Sequence, residues 1–369
     1  MRVLFLACCA WITLLAPAQG KAEPPESSSP WGFQLYFDGG YAASSTEPGN
    51  ETWRSKSTTF RLDSPRVNLA MGVVRKEPTD ASRWGLAFGL QAGVDTEGLV
   101  TSAPPPADEP VSNADTLRHL YRANLSYLFS ARRGIRVTAG LLSGFVGYES
   151  YLAIDNVPYF LWGVETAYSP GDTVDLGFYL VTGYNYLTNP NSRPSYGFQV
   201  SWRIAPGVSL TQNLYYGPDQ DDTDIEFWRF LSDTIVEWKT DRFLLAAALD
   251  YGTERQAHLP GTPRAKWISA AVWARWLIGE HWKVGLRPEI YHDEDGRITG
   301  GPQRLRALTA TMQYELRPAR DNRLVLSLEL RADRSTGEGG GFYSGPDNEL
   351  VANQNLALVG VLWSFDRGR

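Results

Sequence analysis

The chain is poor in the residues that support disulfides, metal sites and acid–base catalysis. Its 369 residues include 2 cysteines, 3 methionines and 4 histidines. Both cysteines, Cys8 and Cys9, lie near the start of the chain, so the rest can form no disulfide. Because thiols and imidazoles are so scarce, we expect no metal site, no cofactor and no enzymatic activity. The formal net charge is −6, and we expect no nucleic-acid partner, since that binding depends on positive charge.

Long hydrophobic runs are missing after residue 22, and none approaches the roughly 18 residues that a membrane-spanning helix requires. The start of the chain differs. Arg2 precedes an apolar run from Val3 to about Leu15, and small residues follow it. This arrangement is typical of a secretory signal peptide. We therefore predict that residues 1–22 are a signal peptide, that residues 23–30 form a short polar leader, and that residues 31–369 form a single domain.

The sequence is rich in stretches in which apolar and polar residues alternate. Tyr196, Phe198, Val200 and Trp202 occupy every second position of one stretch, with small or polar residues between them. A period of two predicts a β-strand with one apolar face. Sixteen segments share this pattern: 31–42, 59–75, 83–95, 117–129, 135–148, 159–168, 173–186, 196–204, 208–216, 226–238, 242–251, 266–277, 282–292, 306–316, 323–333 and 355–365.

The connectors between these segments alternate in length. Short ones such as 205–207 and 239–241 are separated by long ones such as 43–58, 96–116 and 334–354. A soluble β-sandwich has no reason to have short connectors at one end only, whereas outer-membrane barrels have short periplasmic turns and longer extracellular loops. The sequence therefore predicts an all-β fold, a transmembrane antiparallel up-and-down β-barrel of about 16 strands with both termini in the periplasm.

Aromatic residues distinguish the membrane barrel from a soluble sandwich with the same alternation. The chain has 13 Trp, 18 Tyr and 15 Phe. Many of them occur on the apolar face within about two residues of a short turn, which places them at one height of the sheet. Rings of Trp and Tyr collect at bilayer interfaces because their bodies are apolar and their N–H or O–H groups are polar. We predict a membrane-interface girdle that includes Trp84, Trp202, Trp238, Trp276 and Trp282.

Several stretches, among them GFQLYFDGGY (32–41) and TFRLDSPRVNLA (59–70), resemble the OmpL-like family of β-barrel porins. The resemblance continues through 140–162 and 184–199 and covers nearly the whole chain after the leader. It implies an outer-membrane porin of a Gram-negative bacterium that passes small hydrophilic solutes and contacts membrane lipid and lipopolysaccharide. Oligomerisation stays open.

The C-terminus departs from the pattern of such barrels, which commonly end on an aromatic residue read by the assembly machinery. Here Asp366-Arg-Gly-Arg follows Phe365. The alternation of the last segment still places Phe365 on its apolar face. We expect the strand ending at Phe365 to be the signal that the barrel-assembly machinery binds.

Ionisable residues recur on the face opposite the apolar one, where they need water or partners. Sixteen strands enclose more width than side chains can fill, so the face should line an aqueous channel. The residues expected to line it include Arg122, Arg136, Arg203, Arg229, Arg242, Arg275, Arg287, Asp175, Asp233, Glu237 and Glu289.

The third long connector, 148–158, is the candidate constriction loop. In general porins the third external loop folds inward and narrows the pore, and here it would bring Glu149 and Asp155 toward basic wall residues. A loop that lies on the rim of the barrel is the alternative.

Two other functions stay open. A structural or adhesive barrel would have a plugged lumen and would not let sugars swell a liposome. A barrel hydrolase would need a nucleophile or an activated water beside a histidine held by a third group. The histidines are His119, His258, His281 and His292, and none follows a Ser or Asp in a recognisable arrangement.

Overall fold

A computed structural model describes residues 30–54, 56, 58, 60–98, 118–129, 134–148, 159–183, 191–220, 223–256 and 264–368. Sixteen antiparallel strands form a closed barrel, and each strand pairs with its neighbours in the sequence. The strands are β1 (Trp31–Ser44), β2 (Arg66–Lys76), β3 (Trp84–Ala92), β4 (Leu120–Phe129), β5 (Ile135–Ser143), β6 (Phe160–Tyr168), β7 (Val174–Val181), β8 (Ser195–Ala205), β9 (Val208–Pro218), β10 (Trp228–Lys239), β11 (Phe243–Glu254), β12 (Ala265–Ile278), β13 (Trp282–Asp293), β14 (Gln303–Ala319), β15 (Asn322–Ser335) and, after a short hairpin of β16 (Phe342–Ser344) and β17 (Glu349–Val351), β18 (Asn353–Arg367).

The predicted all-β barrel and its strand count are confirmed, since each of the sixteen predicted segments overlaps one strand of the barrel. The hairpin of β16 and β17 was not predicted, and neither was α1 (Asp95–Gly98), a single helical turn. Among the described residues, no helix is both long and apolar enough to cross a bilayer.

Several strands are shorter than their alternation indicated, and β2 and β5 show the reason. β2 begins at Arg66, not at residue 59, because residues 60–65 belong to a loop in which Trp53 N–H donates to the Phe60 carbonyl (2.6 Å). Leu62 in this loop is fully buried. β5 ends at Ser143, and the residues that follow it leave the sheet. In both cases the apolar residues that continue the alternation belong to a loop, and they are buried without forming a strand.

The barrel closes where the first strand meets the last. β1 pairs with β18 from Phe33 opposite Arg367 to Ser44 opposite Leu356. Closure leaves no unpaired edge, which lipid could not satisfy. Arg75 of β2 reaches across β1 to Asp366 of β18 (2.9 Å). Gly32 lies under this bridge, and a Cβ there would meet the Arg75 guanidinium at 3.0 Å.

The alternation of each strand separates the outer surface from the lumen. On β8, Tyr196 and Trp202 are 51% and 47% exposed, although both are large and apolar. Gly197 and Gln199 lie on the opposite face, and Gln199 donates into the lumen. On β15 the exposed leucines 326, 328 and 330 alternate with buried Val325, Glu329 and Arg331 in the same way.

The short turns lie at one end of the barrel. The tightest joins β8 to β9 through Pro206 and Gly207. Gly207 has φ +73°, and a Cβ there would collide with the carbonyl oxygen of Lys239, so this position requires glycine. Its own carbonyl accepts from Lys239 N–H (2.7 Å), which ties the turn to β10. The opposite end carries the long connectors, and several of these contribute residues to the interior.

Candidate pore lumen and its inward loop

The structure places ten of the residues expected to line the pore on inward positions of the barrel wall: Arg122, Arg136, Arg203, Arg229, Arg275, Arg287, Asp175, Asp233, Glu237 and Glu289. The remaining one, Arg242, lies in the short turn before β11 and is exposed at the mouth. The ten do not form one cluster. Five of them, Arg203, Asp175, Arg229, Arg287 and Glu289, belong to separate ion-pair groups at different heights, which sequence reasoning did not identify.

The central network joins β13 to β15 within the lumen. Arg331 donates to Glu289 (2.7 Å) and to Asp333 (2.8 Å), and Arg287 donates to the same Glu289 (2.8 Å). All four side chains are buried, and Gln354 of β18 adds a donor to Asp333 (2.9 Å). Each charge therefore has an opposite charge beside it, which buried ions need.

A second network lies at the end with the long loops. Glu254, at the end of β11, is fully buried and accepts from Arg229 (2.9 Å) and from Arg297 of the next loop (2.7 Å). Tyr215 donates to Asp219 (2.6 Å), which faces Arg229 at 3.7 Å. These contacts hold the loop between β13 and β14 against the wall.

Two further ion-pair groups lie at the end with the short turns. Glu315 accepts from Lys283 (2.5 Å), Arg317 (2.8 Å) and Arg323 (2.8 Å). On the other side of the barrel Arg203 pairs with Asp175 (2.5 Å). This mouth therefore has an excess of basic groups around one carboxylate.

The connector after β5 enters the lumen. Gly147 N–H donates to the Asp233 carboxylate on β10 (2.7 Å). The Tyr148 hydroxyl donates to Glu237, four residues further along the same strand. Phe145 stacks on Tyr179 with ring centroids 4.1 Å apart. β5 and β10 are five strands apart in the barrel, so residues 144–148 cross part of its bore. Glu149 and Asp155 lie outside the described residues.

The same inward segment is anchored by an aromatic contact on a third strand. The Tyr148 ring packs edge-on against Trp273 of β12, with centroids 4.9 Å apart. Phe145 and Trp273 belong to one buried apolar cluster with Tyr215, Tyr291 and others. Aromatic residues thus lie inside the lumen as well as on the outer surface of the barrel. The sequence pattern that predicted the outer girdle did not indicate the aromatic residues of the lumen.

The first and last external loops also contribute to the interior. Trp53 of the first loop is buried over the Arg331 guanidinium, 5.1 Å from it. Gly49 N–H donates to the Gly345 carbonyl (2.8 Å), and Gly345 N–H donates to Thr46 (2.9 Å). The first loop is therefore tied to the hairpin of β16 and β17. The available sequence signal was the presence of Trp53, Phe60 and Leu62 in a loop that is otherwise mostly polar.

The five predicted girdle tryptophans, Trp84, Trp202, Trp238, Trp276 and Trp282, are all exposed on the outer surface, each near a short turn. They pack beside other rings: Trp84 on Tyr127 (4.7 Å), Trp282 on Tyr314 (4.9 Å), and Phe243 between Trp238 and Trp276 (5.4 and 5.1 Å). A soluble protein would bury such a band. A bilayer interface accommodates it.

Outside the strands, Arg193 and Asp224 form an exposed pair at 2.8 Å. The hydrogen bond from Arg193 lowers the pKa of the Asp224 carboxyl below its usual value. The described histidines make no comparable charged pair. His119 and His281 each contact a main-chain carbonyl oxygen at 3.0 Å, and His292 lies at an outward position of β13; His258 is outside the described residues.

Comparison with known proteins decides the family. The family described as "Putative beta-barrel porin-2, OmpL-like" matches residues 30–365. The chain belongs to this family. The predicted resemblance to OmpL-like β-barrel porins is therefore confirmed. No curated protein matches the chain.

The fold of this OmpL-like family member is similar to those of solved outer-membrane proteins. An anion-selective porin from Comamonas acidovorans superimposes with a TM-score of 0.57 at 11% identity, covering 90% of this chain and 98% of that one. OmpF of Salmonella typhi in complex with daunomycin gives 0.55 at 11% identity, covering 90% and 97%. The outer-membrane channel DcaP of Acinetobacter baumannii gives 0.53 at 12% identity, covering 91% and 96%. At such identities the similarity shows the fold alone.

Proposed function

We propose that the protein is an outer-membrane porin through which small hydrophilic solutes diffuse passively, and that it has no enzymatic activity. The observation that carries the proposal is a closed sixteen-strand barrel whose outer face is apolar and whose inner face holds paired ionisable groups. An apolar exterior suits lipid, while charges at this density need water or ionic partners. Membership of a β-barrel porin family supports it.

The proposed location and assembly of the protein follow from the same barrel architecture. We propose that residues 1–22 direct export and are removed, and that the barrel contacts outer-membrane lipid and lipopolysaccharide. The assembly machinery would bind the last strand, in which Phe365 lies opposite Leu35 of the first strand. β18 extends to Arg367, so the residues after Phe365 continue the strand.

Liposome swelling tests the proposed function directly. Vesicles that contain the folded barrel should swell in isosmotic solutions of small sugars, with a rate that falls as the sugar becomes larger. Vesicles with an equal amount of heat-denatured protein are the control. Absence of swelling would overturn the porin proposal.

A structural barrel with a plugged lumen is the second candidate, and one observation favours it. The buried apolar cluster inside the barrel includes Phe145, Tyr179, Trp273 and Phe342, which come from the connector after β5, from two barrel strands and from the hairpin of β16 and β17. A lumen filled in this way would stop sugars. The swelling assay distinguishes the two, because a plugged barrel gives the rate of the denatured control.

The inward connector should restrict the channel. Replacing residues 146–157 by a short glycine–serine link removes the contacts to Asp233 and Glu237, and the single-channel conductance in planar bilayers should rise severalfold. Tyr148→Phe is the matched control: it keeps the ring against Trp273 and removes only the hydroxyl, so its conductance should change little. If the shortened loop leaves the conductance unchanged, the connector is not the constriction.

A further inference from the structure

Arg122 is a buried arginine of the lumen for which the described part of the chain provides no ion-pair partner. In the pairing of β3 with β4 a register shift between Gly89 and Leu90 leaves Tyr121 as an extra residue of β4, and Tyr121 and the adjacent Arg122 are both buried. The Arg122 guanidinium lies 4.2 Å from the Tyr121 ring and donates to the Tyr121 carbonyl (2.9 Å) and to Ser143 Oγ. Among the described residues, no carboxylate forms an ion pair with it.

A second such arginine is on the neighbouring strand. Arg136 of β5 is half-buried and forms no ion pair with a carboxylate of the described residues. Both arginines line one cavity of about 90 Å³, which we call the basic pocket. Its polar lining includes Asn124, Ser126 and Ser143. Such a volume accommodates several water molecules or a small anion.

Other arginines of the lumen have acidic partners. Elsewhere Arg203, Arg229, Arg287, Arg323 and Arg331 each have a carboxylate within 2.9 Å. Two acids line the basic pocket. Glu165 accepts from the Tyr179 hydroxyl (3.2 Å), and Glu77 is 3.9 Å from Arg75, which already pairs with Asp366. Neither forms an ion pair with Arg122 or Arg136 in the part of the chain that the structure describes.

Physical chemistry favours filling this pocket with an anion from solution. A buried guanidinium without a counter-charge is unfavourable, and an anion beside it offsets that cost. The planar guanidinium matches the two oxygens of a carboxylate or phosphate. Ser143 accepts from Arg122, so its own O–H is free to donate to the same ligand.

We propose that the basic pocket is a binding subsite for small oxyanions, with Arg122 and Arg136 as its determinants. If the proposed porin function holds, the pocket lies on the solute path and gives the channel a preference for solutes that carry a carboxylate or phosphate. Binding itself does not depend on conduction, so the two proposals can fail separately.

Calorimetry with inorganic phosphate and with acetate tests the pocket in detergent-solubilised barrel. The wild type should bind saturably. The Arg122→Gln, Arg136→Gln double variant should bind at least about tenfold more weakly, because charge-assisted hydrogen bonds are lost. Arg203→Gln is the matched control, since it removes the same charge from a lumen arginine that is paired with Asp175. Arg122→Lys should recover part of the affinity. Binding of both anions indicates the shared oxyanion chemistry, and binding of one alone identifies that class.

Planar bilayers give the second readout. Phosphate added to KCl solutions should reduce the wild-type current in a saturable manner, and the double variant should lose most of this block. Equal losses in the double variant and in Arg203→Gln would mean a general charge effect and would overturn the pocket. Saturable binding without any current would keep the pocket and overturn the porin. Heat-modifiable gel mobility shows whether the double variant folds. If it does not fold, the phosphate affinities of Arg122→Lys and Arg136→Lys are measured instead. Unchanged phosphate binding in both would overturn the role of the guanidinium groups.

Discussion

Replacing Arg331 by methionine should lower the free energy of unfolding by about 3–5 kcal/mol, the usual cost of removing one partner from a buried ion pair. Arg331 is buried between Glu289 and Asp333, at 2.7 and 2.8 Å, and methionine leaves both carboxylates with less neutralisation. It also removes the cation beneath Trp53, so the first external loop loses an anchor. Urea unfolding in lipid vesicles, followed by tryptophan fluorescence, measures the change.

Arg334→Met is the matched control, three residues further along the same strand. Arg334 is exposed and has no ion pair among the described residues. Exposed substitutions of this kind usually change stability by less than about 0.5 kcal/mol. Equal losses in the two variants would contradict the central network as a source of stability.

An arginine in place of Leu328 should destabilise the barrel by about 2–4 kcal/mol, because a charge at the bilayer midplane is costly. Leu328 is at the middle of β15 on the outer face, between Met312 and Val359 of the neighbouring strands. The same unfolding assay in vesicles measures this loss. A soluble sandwich would tolerate the substitution, since the side chain would face water.

Leu324→Arg tests the depth dependence along the same strand. Leu324 lies near the short-turn end, opposite Trp363. Close to the interface the cost of an arginine falls to about 0–1 kcal/mol. Equal effects at the two positions would argue against the orientation of the barrel in the bilayer.

The sixteen strands could be predicted because their signal is local. Each strand carries its own alternation, so residues such as Tyr196 and Trp202 indicate the outer face without knowledge of any neighbour. The girdle was predictable for the same reason, since Trp84 and Trp276 each occur within about two residues of a short turn. Apolar residues in loops misled the same reasoning. Leu62 has the alternation of a strand but is buried by a loop.

The candidate site was predictable only as a set of inward charges. Whether an arginine is neutralised depends on which carboxylate the neighbouring strands bring beside it. Predicting this would require the pairing register of the strands, which the sequence does not show. Arg331 meets Glu289 from a strand two positions away, whereas Arg122 forms no ion pair with a carboxylate among the described residues. The sequence shows both as similar arginines on inward faces.

By itself the sequence determined the closed barrel, its strand count and the side of each strand that faces lipid, because a period of two is a property of single strands and a bilayer accepts no open edge. Only the tertiary structure decided which charges are paired, which loops enter the lumen and where a positive pocket is left. Those features depend on contacts between residues far apart in the chain, such as Gly147 with Asp233 and Trp53 with Arg331, which local patterns do not encode.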